Sequence, residues 1–489
     1  MIHFLHGFED VSIERARADT TVLDYLREHA AMAGTKEGCA SGDCGACSAV
    51  VVKANGDDLT YAPLNTCIAT LGSLHGCQLI TVEQLQDGET WHPVQRAMIE
   101  AHASQCGFCT PGFVMSLFAL FHSDETPSRE VILEALGGNL CRCTGYRPII
   151  DAAHTALSGA RSDQYTEKAA ETLSRLVAIN AAEPPPTSIG SLIDDSGMYY
   201  RPQSADDVAS LLAEHSDARL VAGGTDLLLE KTQFLRPLPK LIDVTAAADL
   251  AAIESTDKHF RIGAAVTHRQ AAAAIHGDYP ELEELIERFG SRQIRSQGTV
   301  VGNIANASPI GDWPPVLLAL GATLELVSAS GSRSVSVDDF FLDYRKTSLA
   351  DGEFIASVTI PRRDRKLFLR AYKISKRFED DISSVCAVAA LIMEGDDIVS
   401  AKVAFGGMAA VPKRASACEA ALIGKELDEA AIEEAMAALD GDFAPITDAR
   451  ASAQYRSRVA GNLLKRLQLE FTGSTETRVH AHAQGASHG

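Results

Sequence analysis

Residues 38–47 read Gly38-Cys-Ala-Ser-Gly-Asp-Cys-Gly-Ala-Cys47, a stretch that spaces three cysteines as C-x4-C-x2-C. A fourth cysteine, Cys67, follows farther along the chain. This is the plant-type ligand pattern of a [2Fe–2S] cluster, in which four soft thiolates, here Cys39, Cys44, Cys47 and Cys67, converge on a compact core. Glycines between the cysteines let the backbone turn tightly and bring N–H groups close to the sulfurs. Structural zinc is the alternative, but zinc sites favour paired knuckles of closer spacing.

A second group of four cysteines follows in the sequence. Cys106 and Cys109 form a C-x2-C pair, and Cys141 and Cys143 form a C-x-C pair after 31 intervening residues. This spacing alone also allows a zinc site with four cysteine ligands. A thioredoxin-like redox pair is disfavoured, because no βαβ pattern surrounds the C-x-x-C. The neighbouring plant-type pattern favours a second [2Fe–2S] cluster, since two such centres would form an electron relay.

The composition indicates several domains and excludes some partners. The chain has 489 residues and a formal net charge of −21, from 65 acidic and 44 basic side chains. This length favours more than one core, and the charge disfavours nucleic acid and anionic membrane surfaces as partners. Neither an N-terminal signal nor a membrane-spanning apolar stretch is visible, so we expect a cytoplasmic protein with reduced thiols. The remaining Cys77, Cys386 and Cys418 are expected to be buried as small apolar residues.

The N-terminal part of the chain has the pattern of a small domain of mixed α and β structure. A strand is predicted from Ile2, and Thr20 or Thr21 is a candidate cap for a short helix. The apolar run Ser48-Ala-Val-Val-Val52 predicts another strand directly after the first three cysteines. For residues 1–82 we therefore predict a ferredoxin-like domain that holds the plant-type cluster.

The next part, residues 83–160, reads as helical. Thr110-Pro111 and Thr126-Pro127 each place a capping residue before a proline that suits a first helical turn. Gly137-Gly138 is expected to end the second of these helices. The paired cysteines of the second group then lie in loops at helix ends. We predict a helical domain whose hairpins bring these loops together around the second cluster.

A linker and a larger α+β domain are predicted next. Residues 161–196 are expected to form an extended linker, because they contain the run Ala181-Ala-Glu-Pro-Pro-Pro-Thr187 and many small polar residues. Residues 197–364 alternate helix and strand signals around two glycine-bearing loops. These loops are Gly223-Gly-Thr-Asp226 and Thr299-Val-Val-Gly-Asn-Ile-Ala-Asn306.

The C-terminal part is predicted to contain one more folded unit and a tail. Residues 365–470 read as a last α/β unit with an amphipathic end. Residues 471–489 are small and polar, so we expect a disordered tail there. Its His480, His482 and His488 suit weak metal binding, but a frayed end explains them better.

The motifs around the cysteines and glycines resemble one family, the molybdenum hydroxylases. The iron–sulfur signatures are Gly34-Thr-Lys-Glu-Gly-Cys-Ala-Ser-Gly-Asp-Cys-Gly-Ala-Cys47 and the pair Gln105-Cys-Gly-Phe-Cys-Thr-Pro-Gly-Phe113 with Asn139-Leu-Cys-Arg-Cys-Thr-Gly-Tyr-Arg147. Val221-Ala-Gly-Gly-Thr-Asp-Leu227 and Gly302-Asn-Ile-Ala-Asn-Ala-Ser-Pro-Ile-Gly-Asp312 resemble the FAD-binding part. The resemblance implies a multidomain α+β chain. It would consist of an N-terminal β-grasp ferredoxin-like [2Fe–2S] domain, a helical [2Fe–2S] domain, and a two-part α+β FAD-binding domain (PCMH/VAO-like) with a C-terminal α/β subdomain.

The resemblance runs over about residues 1–470 and implies a role in electron transfer. The order of domains is similar to that of family members that oxidise hypoxanthine and xanthine to urate and keep their iron–sulfur and FAD domains in one small subunit. It implies a large partner subunit that carries molybdopterin and binds the substrate, in an α2β2 heterotetramer. Electrons would pass from the Cys106 group to the Cys39 group, then to FAD and NAD+. No catalytic acid–base residue is expected in this chain.

Other functions remain open at this point. Family members that oxidise aldehydes, CO or N-heterocycles are alternatives, and so is a stand-alone flavin and iron–sulfur reductase that serves a soluble carrier. A zinc-stapled binding protein without a redox role is a further alternative. Gln105, beside Cys106, is similar to the family residue that faces the pterin at the subunit contact, although it also suits an ordinary polar surface position.

The FAD site is predicted partly from a local pattern and partly from the resemblance. The chain has no G-x-G-x-x-G fingerprint, but a strand followed by Gly223 and Gly224 can form a nest of N–H groups for a pyrophosphate. The resemblance implies FAD contacts from Val221, Ala222, Gly223, Gly224, Thr225, Asp226, Leu227, Phe289, Thr299, Gly302, Asn303, Asp312, Ile355 and Lys373. Of these, Phe289 would lie near the isoalloxazine, with plain core packing as the alternative.

A last motif concerns the electron acceptor. Tyr372-Lys-Ile-Ser-Lys-Arg-Phe-Glu-Asp-Asp-Ile382 resembles the loop that controls access of the nicotinamide to the flavin. Asp380 and Asp381 would favour the cationic nicotinamide ring by proximity. The resemblance therefore implies NAD+ rather than O2 as acceptor, with a solvated run of charges as the alternative interpretation.

Overall fold

Four large clusters of buried apolar side chains organise the described part of the chain. The computed structural model describes residues 1–181, 189–190, 197–473 and 477. In chain order, the elements form a mixed-sheet unit, a helical unit, a unit of two sheets with helices, and a last sheet covered by helices. This order confirms the predicted multidomain α+β fold class. The domain boundaries given above remain predictions.

The first unit is a small mixed sheet with one short helix. Its elements are β1 (Ile2–His6), β2 (Glu9–Ile13), α1 (Val22–Asp24), β3 (Ser48–Asn55), β4 (Asp58–Asn65) and β5 (Gln78–Ile80). The strand order is β2-β1-β5-β3-β4, and β1 and β5 run parallel in the middle. Thr21 caps α1, as predicted, because its side chain accepts a hydrogen bond from the N–H of Asp24, whose carboxylate accepts one from the N–H of Thr21.

The second unit consists of helices. They are α2 (Pro93–Glu100), α3 (Thr110–Phe121), α4 (Arg129–Leu136) and α5 (Arg147–Leu157). α3 has a proline in its first turn, as predicted, but Cys109 occupies the cap position and Thr110 is the first helical residue rather than the predicted cap. The residues of α3 from Gly112 onward are all buried. The predicted start of α4 at Thr126-Pro127 is wrong by two residues. Ser128 caps this helix instead, because its extended backbone lets its hydroxyl oxygen accept a hydrogen bond from the N–H of Val131.

The segment predicted to be an extended linker is largely helical. It contains α6 (Gln164–Glu167) and α7 (Ala169–Ala181). The prediction is wrong here because Leu176 and Ile179 on α7 bury against Leu5 of the first sheet. Such a contact between distant segments cannot be recognised from a polar composition. Residues 182–187 of the proline-rich run lie outside the described residues.

Asp163, which caps α6, also ties that helix to the helical unit. Its Oδ2 accepts hydrogen bonds from Nε2 of His92 at 3.0 Å and Nε2 of His122 at 2.9 Å. Nδ1 of His92 accepts the N–H of Val94, which assigns the ring proton of His92 to Nε2. Although burial favours the neutral acid, the hydrogen bonds from His122 and His92 outweigh it and hold the pKa of Asp163 well below its ordinary value. The three side chains therefore form a hydrogen-bonded network.

Asp163→Ala is expected to destabilise the protein by roughly 3–5 kcal/mol, because two buried imidazole N–H groups lose their acceptor and α6 loses its cap. Urea unfolding at pH 7 measures this change, with Asp57→Ala at an exposed turn as the matched control. Since the pKa of Asp163 is depressed in the fold, its contribution is present above the unfolded pKa of about 4 and is lost below it. Equal unfolding free energies for the two variants would contradict the prediction.

The third unit begins with a mainly parallel sheet. Its elements are β6 (Ile189–Gly190), β7 (Met198–Tyr200), α8 (Ala205–Glu214), β8 (Arg219–Val221), α9 (Leu229–Thr232) and β9 (Lys240–Asp243). The strand order is β6-β7-β9-β8, and β9 pairs in parallel with both β7 and β8. Ser204 caps α8, as predicted. The loop with Gly223 and Gly224 therefore leaves the sheet at the carboxyl ends of parallel strands, an edge where ligands commonly bind.

An antiparallel sheet and short helices complete the third unit. The strands are β10 (Ile253–Ser255), β11 (His259–Gly263), β12 (Thr323–Ser328), β13 (Gly331–Ser336), β14 (Phe341–Asp343), β15 (Lys346–Thr347) and β16 (Phe354–Pro361), and the helices are α10 (His268–Ile275), α11 (Glu283–Glu287), α12 (Arg292–Gln297), α13 (Val300–Ala305) and α14 (Trp313–Leu320). The main sheet has the order β10-β11-β16-β12-β13. The prediction of a loop at Thr299–Asn306 is wrong, because Thr299 caps α13 by accepting the N–H of Gly302 at 3.0 Å.

The last unit is an antiparallel sheet covered by helices. Its elements are β17 (Leu367–Ile374), β18 (Val385–Glu394), β19 (Asp397–Gly406), β20 (Lys413–Arg414), α15 (Ser416–Leu422), α16 (Glu429–Asp442) and α17 (Ala453–Thr472). α17 buries Leu463, Leu464 and Leu467 on one side, which fits the predicted amphipathic end. The predicted tail and its histidines lie outside the described residues, apart from residues 471–473 and 477. Among the helices described, none combines the length and apolarity needed to cross a bilayer.

Candidate functional site

The predicted ligands of the plant-type cluster converge in the structure. Cys39, Cys44 and Cys47 come from the loop before β3, and Cys67 comes from a 3₁₀ turn directly after β4. The Sγ atoms of Cys47 and Cys67 lie 3.3 Å apart, and the thiol of Cys39 contacts those of Cys44 and Cys67. The four sulfurs therefore point into one space, as the ligands of a [2Fe–2S] core must.

The backbone of this loop supports a thiolate at Cys39. Gly42 and Gly45 adopt φ angles of 84° and 64°, a conformation that glycine tolerates best. These turns bring the N–H groups of Ser41 and Cys44 within 3.4 Å of the Sγ of Cys39. Hydrogen bonds from the Cys44 thiol, a second neighbouring thiol and Ser41 hold the pKa of Cys39 well below its ordinary value. The thiolate is the form that binds iron.

The second cysteine group converges from two loops. Cys106 and Cys109 precede α3, whereas Cys141 and Cys143 precede α5. The Sγ atoms of Cys106 and Cys143 lie 3.7 Å apart, and the thiol of Cys109 is hydrogen-bonded to that of Cys141. The Sγ of Cys141 accepts two backbone N–H groups at 3.4 Å and the hydroxyl of Thr144 at 3.1 Å. Donors of this kind around soft thiolates fit an iron–sulfur cluster.

This second group lies at the surface of the chain. Cys106 and Cys143 are exposed, and so is the neighbouring Gln105. Two apolar side chains beside the cysteines are also exposed, Phe108 to 46% and Leu140 to 49%. The structure thus leaves this edge accessible, while the role of Gln105 at a subunit contact stays a prediction.

A cleft of about 820 Å³ lies beside the first cysteine group. Its wall includes the glycine loop after β8, parts of α13, and residues of β16 and β17. Every residue predicted to contact FAD lines this cleft, namely Val221, Ala222, Gly223, Gly224, Thr225, Asp226, Leu227, Phe289, Thr299, Gly302, Asn303, Asp312, Ile355 and Lys373. The structure brings these distant positions together, and their contact with FAD stays a prediction.

The glycine loop is pressed closely against α12. An ideal Cβ at Gly223 would lie 2.0 Å from the backbone oxygen of Gln297, so no side chain fits there. Gly224 has a φ of 72°. Nε2 of Gln297 donates to the carbonyl oxygens of Gly223 at 2.6 Å and Ile68 at 2.9 Å. Glycine at position 223 is therefore required by the close packing on α12, and binding of a pyrophosphate by the N–H groups of this loop stays a prediction.

A buried ion pair forms part of the cleft wall. Nζ of Lys373 lies 2.6 Å from Oδ2 of Asp312 and donates to Oγ of Ser383 at 2.9 Å. Ser383 donates in turn to Oδ1 of Asp312 at 2.5 Å. The charged side chains are 2% and 3% exposed, so removing one would leave the other charge buried without a partner. This network fixes β17 against the start of α14.

The cleft also contains residues that sequence reasoning did not assign. Ser41 and Asp43 come from the first cysteine loop and form part of its wall. No local pattern signals this contact, because it depends on how two distant parts of the chain pack. His268 lines the cleft as well, and burial lowers its pKa to about 3, so the ring is neutral.

The segment 372–382 reaches the cleft through several of its residues, including Arg377, Asp380 and Asp381. Burial first and the charge of Asp43 second raise the pKa of Asp380 to about 7. Burial acts in the same direction on Asp381, but hydrogen bonds from the N–H groups of Arg377 and Ile382 outweigh it and lower the pKa of Asp381. At neutral pH, Asp381 therefore carries a full negative charge and Asp380 carries part of one.

Four family models match the chain in succession. They are the 2Fe-2S iron-sulfur cluster binding domain at residues 7–72, the [2Fe-2S] binding domain at 81–154, the FAD binding domain in molybdopterin dehydrogenase at 193–363, and the CO dehydrogenase flavoprotein C-terminal domain at 370–471. Their order agrees with the two cysteine groups, the cleft and the last sheet described above. The matches thus support iron rather than zinc at both cysteine groups.

Proteins named xanthine dehydrogenase resemble most of the chain. Xanthine dehydrogenase of Emericella nidulans is 32% identical over an alignment that covers 90% of this chain and 36% of the relative. Xanthine dehydrogenase of Oryza sativa subsp. japonica is 34% identical, with 87% and 36% covered. The chain thus spans little more than a third of the length of these curated relatives.

Solved structures match a little more than half of the chain. The Cu,Mo-CO dehydrogenase in its cyanide-inactivated form is 30% identical with a TM-score of 0.52, covering 55% of this chain and 94% of the matched chain. Quinoline 2-oxidoreductase from Pseudomonas putida 86 is 29% identical with a TM-score of 0.52, covering 56% and 95%. Together with the converging cysteines and the cleft, these likenesses show that the chain belongs to the molybdenum hydroxylase family, of which it carries the two [2Fe–2S] domains and the FAD-binding domain.

Proposed function

We propose that this chain is the redox subunit of a xanthine dehydrogenase. When bound, the two clusters and FAD would carry electrons from a molybdopterin centre in a partner subunit to NAD+. The observation that carries this proposal is the serial contact between the three sites. The N–H of Leu140 donates to the carbonyl oxygen of Cys44 at 3.0 Å and joins the two cysteine loops. Ser41 and Asp43 of the first loop then border the cleft.

The proposed partner is a large molybdopterin-binding subunit that docks at the second cysteine group. Cys106, Cys143, Phe108 and Leu140 are exposed there, where an electron donor can approach. The curated relatives extend well beyond the 36% of their length that this chain matches. We propose that the partner subunit corresponds to the remaining length of these relatives and oxidises the substrate. The two subunits would form an α2β2 assembly in the cytoplasm. Gln105 is proposed to face the pterin at this contact.

Two comparisons bear on the substrate. Proteins named xanthine dehydrogenase align with 87–90% of the chain, whereas the solved CO dehydrogenase and quinoline oxidoreductase chains match 55–56% of it. The longer match favours hypoxanthine and xanthine, which would be oxidised to urate. A CO or N-heterocycle dehydrogenase is the second candidate, because solved chains of CO dehydrogenase and quinoline 2-oxidoreductase match the chain and the CO dehydrogenase flavoprotein C-terminal domain matches residues 370–471.

Purification of the complex from its native cells tests this function. We expect a stoichiometric molybdenum-containing partner, brown iron–sulfur absorbance, releasable FAD, and reduction of NAD+ by xanthine. Quinoline, an aldehyde and CO serve as competing substrates in the same assay. Turnover that is faster with O2 than with NAD+ would contradict a dehydrogenase. A flavin-containing chain that reduces a soluble carrier without any molybdenum partner would instead support a stand-alone reductase.

The KM for NAD+ is expected to fall as the pH rises through about 7. Asp380 lines the cleft, and burial raises its pKa to about 7. Because the raised pKa favours the neutral acid, the negative charge of Asp380 develops as the pH rises through about 7. One added charge near the nicotinamide is worth about 1 kcal/mol, or roughly fivefold in KM.

Steady-state kinetics at a series of pH values from about 6 to 8 measure this effect. This range extends about one unit to either side of the pKa of Asp380. Asp380→Asn should retain FAD, remove the pH step and keep the higher KM throughout. Asp257→Asn, at an exposed turn in the same unit, should preserve the step. A KM that is independent of pH in the unmodified protein would contradict the assignment.

A further inference from the structure

One buried glutamine contacts residues that lie beside both cysteine groups. Gln293 lies on α12 and is fully buried. Its Nε2 lies 3.2 Å from Oγ of Ser48, 3.1 Å from Oγ of Ser116 and 3.3 Å from Oδ1 of Asn139. Ser48 directly follows the ligand Cys47, and Asn139 lies two residues before a ligand of the second group. A single amide thus contacts the surroundings of both cluster sites.

The two cysteine loops meet through one backbone hydrogen bond and one hydrogen bond from a side chain. The N–H of Leu140 donates to the carbonyl oxygen of Cys44 at 3.0 Å. Nδ2 of Asn139 donates to the carbonyl oxygen of Gly45 at 3.2 Å, and the hydroxyl of Ser116 donates to Oδ1 of Asn139 at 2.6 Å. An ideal Cβ at Gly45 would lie 2.4 Å from Nδ2 of Asn139. The backbone contact therefore depends on the exact placement of Asn139.

The contact between Leu140 and Cys44 provides a short chain of bonds between the two groups. It leads from Cys141 through the preceding Leu140 and its hydrogen bond to Cys44, so that both ends are predicted ligands. A single electron would pass from the second cluster to the first. No proton would move, and no covalent bond would form or break. Because electron transfer depends steeply on separation and bonding, small displacements of Asn139 would alter its rate.

Stability alone does not explain the amide of Gln293, because burying it has a free-energy cost. Its Oε1 is buried and has no hydrogen-bond partner among the described residues. An apolar side chain of the same length would avoid leaving a polar atom unsatisfied. A role in holding Asn139 explains why an amide occupies this position.

We propose that Gln293 is a positioning residue that fixes the contact between the two cluster-bearing loops and thereby sets the rate of electron transfer between the clusters. This inference rests on the proposed function, because it requires both clusters to be present. It assigns to α12, which also presses on the glycine loop through Gln297, the role of a common support for three redox sites.

The substitution Gln293→Met tests the proposal in the assembled holoenzyme, since it keeps the length of the side chain and removes its donors. Iron and FAD contents are expected to remain complete. Electron paramagnetic resonance of the fully reduced protein should show a weaker magnetic interaction between the two clusters. Rapid-mixing measurements should show electron transfer between the clusters slowed by about tenfold or more. Gln203→Met, at an exposed position of the same unit, should change neither quantity.

Gln293→Asn keeps the amide on a shorter side chain and should give intermediate values. An unchanged magnetic interaction and an unchanged rate in Gln293→Met would overturn the proposal. Loss of either cluster from that variant would also overturn it, because the residue would then be needed for assembly rather than positioning. If the unmodified protein lacks two [2Fe–2S] signals, the proposed function itself fails, which distinguishes the two outcomes.

Discussion

Serine in place of Cys44 or of Cys109 is expected to abolish one cluster in each case and to stop electron transfer to NAD+ while FAD stays bound. Cys44 contacts the thiol of Cys39 in the first group, and Cys109 contacts that of Cys141 in the second. A serine hydroxyl is a hard, weakly acidic ligand that does not replace a thiolate on iron. Because the clusters act in series, loss of either one should lower turnover by more than about 100-fold.

Spectroscopy distinguishes this outcome from general unfolding. Each variant should lose the iron and the paramagnetic signal of one cluster and keep those of the other. Flavin released on denaturation should be unchanged, since neither cysteine lines the cleft. The matched control is Cys418→Ala. Cys418, like Cys77 and Cys386, is buried as predicted, and burial raises its pKa to about 12. Rapid NAD+ reduction by either serine variant would contradict a relay.

The cluster sites were predictable because their chemistry is local in sequence. Iron requires thiolates at particular spacings, and glycines such as Gly42 and Gly45 mark the turns that the ligand loop needs. Helix caps were predictable for the same reason, since Thr21 and Ser204 act on N–H groups within a few residues. In the cleft wall, a local pattern pointed only to Gly223 and Gly224 after a strand, and the other predicted residues were identified through the family resemblance.

The errors arose where distant packing decides the structure. The segment of α7 has the composition of a linker, yet Leu176 and Ile179 bury against the first sheet and make it helical. α13 was predicted to be a loop because of its glycine, but the cap at Thr299 and burial of its apolar residues favour the helix. The contact of Ser41 and Asp43 with the cleft likewise joins residues that are far apart in sequence. None of these contacts leaves a periodic signal.

The position of α12 explains how these separate parts act as one site. Arg292 and Arg295 form ion pairs with Glu134 of the helical unit, and Arg295 also donates to the carbonyl oxygen of Phe289 at 3.0 Å. Gln297 contacts both the turn after Cys67 and the glycine loop. A short helix between three units therefore couples the geometry of the cleft to that of the cluster loops. This coupling makes the glycine loop sensitive to any added volume on its α12 side.

Gly223→Ala is accordingly expected to abolish FAD binding while both clusters remain. The added methyl group would lie 2.0 Å from the backbone oxygen of Gln297, so the loop must shift into the cleft. A displacement of this kind should raise the Kd for FAD at least about 100-fold, or roughly 2.8 kcal/mol. Flavin fluorescence after denaturation and titration of the deflavinated protein with FAD measure the loss.

The matched control for this substitution is Gly277→Ala, because an ideal Cβ at Gly277 has no heavy atom within 4 Å. That variant should bind FAD as the unmodified protein does. In Gly223→Ala, the iron content of both clusters should stay complete, since the added methyl group does not meet a cysteine loop. Electrons should then reach the clusters but not NAD+. Full flavin content in Gly223→Ala would show that the loop yields without closing the cleft, and it would remove Gly223 from the FAD site.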